Sequence, residues 1–153
     1  MSRGGRKTDR RHVLCLVFAM EFHSPQDYRE AAEPEYYLEY FANETVGSKI
    51  SESDYVFGLI GGIFNRRQEL DELITQTAES WDISRISKMD LAILRLGLYE
   101  ILYMEEIAHT VAINEAVEIA KEFSDEESSK FINGILGRIV RKLNVNKENE
   151  YGN

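Results

Sequence analysis

Apolar residues return at three- and four-residue steps through most of this chain, which is the period of helices with one buried face. Val13, Leu14, Val17 and Met20 predict a first helix from Thr8 or Asp9 to about His23, and either residue can cap its start. Val56, Leu59, Ile60, Ile63, Leu70, Leu73 and Ile74 predict one long helix over residues 51–77. Ser51 and Asp54 stand at capping-box spacing at its start, with Asp in place of the usual Glu. Gly58, Gly61 and Gly62 lie inside it and suggest close packing against another helix, at some cost in helix propensity. Residues 91–103 (LAILRLGLYEILY) are apolar all round except for Arg95, Gly97 and Glu100, the pattern of a central helix buried on most sides. Ser87 precedes it at capping distance from Asp90. Two more helices follow. One is marked by Ile113, Ala116, Val117, Ala120 and Phe123, the other by Phe131 or Ile132, then Ile135, Leu136, Ile139 and Val140.

Between these elements the pattern lapses. Residues 1–7 read as loose, residues 24–34 and 43–50 as loops, and Trp81 as the start of a connector. Residues 35–42 form a short aromatic helix, and residues 144–153 a polar tail. No segment alternates strictly between turn signals, and Asn133-Gly134 falls inside a helical pattern, so no strand is expected. Pro25 and Pro34 both lie in one loop, which leaves the remaining chain free of the strongest helix breaker. The expectation is an all-α fold of about six to seven helices.

Length and composition sharpen this. A chain of 153 residues with 43% hydrophobic content is long enough for one domain with a substantial core. The single cysteine, Cys15, cannot make an internal disulfide, which suits a reducing cytoplasm. Between Leu14 and Leu16 it reads as a small buried hydrophobe, since nothing near it would activate a nucleophile. No apolar run approaches a membrane span, and the apolar patch after the basic N-terminus is too short for a signal peptide.

The net charge of −9 is unevenly placed. Residues 1–12 hold five Lys/Arg against one acid, or +4; the remainder holds 13 against 26, or −13. A basic arm over residues 1–12, leading into a helical domain over residues 8–143, fits phosphate, and the acidic body fits a cationic partner. The alternative for the arm is a solvated terminus without a ligand. Arg95, alone in an apolar helix, must reach solvent or a carboxylate, with Glu100 or Asp90 as internal candidates. Asp125, Glu126 and Glu127 favour the positive end of the last helix. Phe18 and Phe131 could stack on bases, although core packing is their default. No nucleotide-binding glycine motif, HExxH or CxxC occurs, and His12, His23 and His109 lack metal spacing, so neither cofactor nor metal is expected.

The order of residues adds a resemblance. VAINEAVEIAKEF followed by SSKFINGIL resembles the signature of the NusB family of bacterial antitermination factors, as do MDLAILRLGLYEI and RKTDRRHVLCLVFAME. These blocks cover most of the chain in the family's order. The resemblance implies a single compact domain of two packed helical bundles and no enzyme activity. It implies binding of boxA-type single-stranded RNA in ribosomal RNA transcripts, together with a small-subunit ribosomal protein, within an RNA polymerase elongation complex that holds other Nus factors. By the same motifs Arg6, Lys7, Arg10, Arg11, Phe18, Arg95, Lys130 and Phe131 would meet RNA, and Asp90 and Glu127 would face the protein partner. Departures are Cys15 and Phe18, where the family often carries Gln and Tyr, the interruption of the arm by Asp9, and His109. Two other classes stay open: a stand-alone relative of the N-terminal RNA-binding domains of RNA methyltransferases, and a helical adaptor that dimerises without binding RNA.

Overall fold

The computed structural model describes residues 5–21, 54–78 and 83–151. These hold six α-helices and one turn of 3-10 helix, with no strand among the described residues. They are α1 (Gly5–Met20), α2 (Asp54–Asn65), α3 (Arg67–Ala78), the 3-10 turn Ile83–Arg85, α4 (Lys88–Tyr103), α5 (His109–Phe123) and α6 (Glu126–Tyr151). The aromatic helix over residues 35–42, both proline-bearing and following loops, Ser51 and Trp81 lie outside the described residues. The chain divides into two compact units, Met1–Gln68 and Glu69–Asn153.

In the first unit α1 packs on α2. Val13, Leu14, Leu16 and Val17 from α1 and Leu59, Ile60 and Ile63 from α2 are buried. The helix begins at Gly5, earlier than Thr8. Asp9 and Arg10 lie one turn before Val13 and Leu14, continue the same stripe, and are 6% and 4% exposed. These two residues of the basic arm therefore belong to a packed helix. The helix expected over residues 51–77 is two helices meeting at Arg66, whose N–H still donates to the Gly62 carbonyl at 3.0 Å. No residue between Ile63 and Leu70 is buried, so no apolar anchor holds the joint in register.

The second unit is built on α4, α5 and α6, which pack pairwise on one another. As its all-round pattern requires, α4 is buried along nearly its whole length, with Leu94 and Leu98 at 0% and Ile101 at 6% exposure. Ala112, Ala116, Ile119 and Ala120 present the apolar face of α5, and Ile132, Ile135, Leu136 and Ile139 that of α6. Ile132, not Phe131, is thus the first core residue of α6. The small residues allow close approach. A Cβ on Gly97 of α4 would lie 3.0 Å from Leu136 Cδ1 and 3.3 Å from Ala116 Cβ.

Candidate binding surfaces

The helix starts bring one group of polar residues together in the second unit. Ser87 caps α4, its Oγ accepting from the Asp90 N–H at 3.1 Å. Asp125 serves α6 in the same way, its Oδ1 accepting from the Ser128 N–H at 2.7 Å. These caps aim the two helix starts at each other. Ser128 Oγ donates to Asp90 Oδ2 at 2.8 Å, and Ser124 Oγ lies 3.1 Å from Asp90 Oδ1 and 2.9 Å from Ser128 Oγ. One Ser124 proton cannot serve both acceptors. Donation to the carboxylate is charge-assisted and is the stronger choice. Asp90 is only 8% exposed, so its charge is held by hydroxyls rather than offered to solvent.

Around this clasp is a cleft of about 180 Å³ lined by Arg85, Ile86, Ser87, Asp90, Asp125, Glu127, Ser128 and Phe131. That volume suits one side chain and falls below the usual range for cofactor pockets. Ile86 and half-buried Phe131 give it apolar walls, and exposed Asp125 and Glu127 make it acidic despite Arg85. Asp90, Glu127 and Phe131 are therefore neighbours on one cleft, although the sequence motifs divided them between protein and RNA. Ser124, Ser128 and Arg85 were not singled out from sequence. The serines act across 34 and 38 residues, a separation that leaves no local signal.

Arg95 is placed elsewhere. It is 3% exposed, with Nε 2.7 Å from Asp71 Oδ1 and Nη2 2.8 Å from Asp71 Oδ2, a bidentate pair. Asp71, on α3, is the carboxylate that grips it, where sequence reading offered only Glu100 or Asp90. Nearby, the Tyr103 hydroxyl donates to Glu69 Oε1 at 2.6 Å, again joining α4 to α3.

On α1, Lys7 is exposed, and Arg11 is half-buried with Nη1 donating to the Lys7 carbonyl at 3.0 Å. Phe18 is half-buried, and Arg6 lies in the helix. His12 Nδ1 is buried without a hydrogen-bond partner. Cys15 is half-buried, and burial pushes its thiol pKa up, the direction opposite to activation. On α6, Lys130 is exposed beside Phe131. No described helix is long and apolar enough to cross a membrane.

Residues 7–141 match the model of the NusB family. The chain is 41% identical over 137 residues to the transcription antitermination protein NusB of Acetivibrio thermocellus, covering 90% of this chain and 89% of that one. T. maritima NusB shares the fold with a TM-score of 0.73 and 34% identity, over 89% of this chain and 90% of its own. A chain in the crystal structure of the antitermination factors NusB and NusE with double-stranded RNA gives a TM-score of 0.72 at 21% identity, over 92% and 99% of the two chains, a likeness of fold. With a family match over most of the chain and a relative of this identity over nine-tenths of its length, the chain belongs to the NusB family.

Proposed function

We propose that this protein is a cytoplasmic, non-enzymatic transcription antitermination factor. It binds boxA-type single-stranded RNA of ribosomal transcripts together with NusE, a small-subunit ribosomal protein, and joins the elongating RNA polymerase with other Nus factors. The observation that carries this reading is the 41% identity to an antitermination NusB along nearly the whole chain. A relative of similar fold has been crystallised with NusE and RNA.

The distribution of charge supports it. Arg6, Lys7 and Arg11 on α1 and Lys130 on α6 are the cations for RNA, with Phe18 and Phe131 as stacking faces. Buried Arg10 serves RNA by holding α1 rather than by meeting phosphate, and Arg95 serves it by tying α4 to α3. The acidic cleft receives a basic side chain of NusE: its cation meets Glu127 and Asp125 while its aliphatic stem packs on Ile86. Asp90 shapes that cleft from below.

A binding assay with boxA-like RNA, with and without NusE from the same organism, tests the proposal. Tight binding by the mixture, well above that of either protein alone, is the expected result. Equal weak binding with and without NusE, at every salt concentration, would overturn it.

A further inference from the structure

Beyond Lys130 of the family motif, the exposed face of α6 carries three further cations that the motifs do not touch. Residues 69–153 hold 17 Asp/Glu against nine Lys/Arg, yet residues 128–146 contain four cations and no acid. Those four, Lys130, Arg138, Arg141 and Lys142, are all exposed. At about 100° per residue Lys130 and Arg141 lie within roughly 20° of each other, and Arg138 and Lys142 complete a face about 120° wide. The four span about 18 Å along the helix axis.

The ordinary explanations for such a stripe fail here. A solvated helix face mixes both signs and gains from pairs three and four residues apart. Arg138 instead faces Arg141 and Lys142 at those spacings, which costs stability. None of the four pairs with a carboxylate among the described residues. The helix macrodipole does not ask for them either: it acts within the last turn, which holds no basic residue. Between the cations the surface is open. A Cβ on Gly134 would meet nothing within 4 Å, and the nearest neighbour of one on Gly137 is the Arg141 guanidinium at 3.7 Å. A backbone can come close to the helix there.

We propose that this face of α6 is an RNA-tracking surface, on which Arg138, Arg141 and Lys142 neutralise successive phosphates of RNA that continues beyond the part held at Lys130 and Phe131. The inference rests on the RNA-binding reading above and extends its path by nearly half the length of α6. RNA is favoured over an acidic protein because the stripe begins at Lys130, next to the stacking face of Phe131, and follows a line, as a phosphate chain does.

The test uses the full chain with NusE and two RNAs, a short boxA-like one and the same RNA extended by some ten nucleotides on either side. Wild-type binding of the short RNA tests the underlying reading. The stripe is tested by the triple variant R138A/R141A/K142A on the extended RNA. Three lost contacts should reduce the log–log salt slope by about 2 on single-stranded RNA. Binding of the short RNA and of NusE should stay as in wild type, and the urea midpoint should hold or rise slightly, because all three side chains are exposed and their mutual repulsion is removed. An unchanged slope on the extended RNA, with the short RNA still bound, would overturn the proposal. So would a loss confined to NusE binding, which would make the stripe a protein contact instead.

Discussion

Asp90 and Glu127 look alike in sequence, two carboxylates at helix starts, and differ entirely in surroundings. Asp90 is buried under the Ser124 and Ser128 hydroxyls, whereas Glu127 is exposed at the cleft rim. Asp90→Lys buries an unpaired cation, removes the carboxylate that accepts from the Ser128 hydroxyl and disturbs the α4 start, so it should cost about 3 kcal/mol or more in urea unfolding. Glu127→Lys should stay within about 0.5 kcal/mol of wild type. Equal midpoints for the two variants would contradict the clasp. Sequence spacing was enough to find the Ser87 cap, because a cap is local. It could not find the serine clasp or the Asp71 partner of Arg95, which depend on packing between elements. Choosing Ile132 over Phe131 for the core needed the same information, since both positions satisfy the helical period.

At the scale of elements, the periodicity of α4, α5 and α6 was readable because each buries a regular stripe. The division at Arg66 was not, since the apolar repeat runs through it in phase. Two glycines show what packing adds to propensity. Alanine at either site gains about 0.8–1.0 kcal/mol of helix propensity. At Gly134 nothing opposes that gain, so Gly134→Ala should raise the melting temperature. At Gly97 the new methyl would press on Ala116 Cβ, which has no rotamer to move, and on fully buried Leu136. Overpacking of this kind costs about 1–3 kcal/mol, so Gly97→Ala should be net destabilising and Gly97→Val more so. Thermal melts of the three variants check the contrast, and a stabilised Gly97→Ala would show that the α4–α5–α6 contact is looser than described. Truncating Leu94 or Leu98 to Ala in the same core should cost about 2–5 kcal/mol in urea unfolding.

For the whole molecule, charge is what joins sequence to function. The net −9 alone would argue against nucleic acid, but its distribution reverses that reading. The basic terminus was visible as a block of residues. The stripe on α6 is spread through the sequence and becomes one surface only on the helix, although its freedom from acids was already countable. The separation of signs makes opposite demands on the two ligands. Glu127→Lys removes a carboxylate from the acidic cleft, so affinity for basic NusE should fall. Binding of RNA by the isolated protein should hold or rise slightly, since a negative charge near phosphate is gone. Lys7→Ala with Arg11→Ala should do the reverse, weakening RNA and flattening its salt slope by about 1.4 for two contacts while leaving NusE affinity unchanged. Titrating each variant against each ligand over a range of salt concentrations gives four slopes. Crossed effects place the two ligands on oppositely charged surfaces. If Glu127→Lys folds normally and still binds NusE as tightly as wild type, the cleft is not the partner's site, and the acidic turn is only the start of a helix.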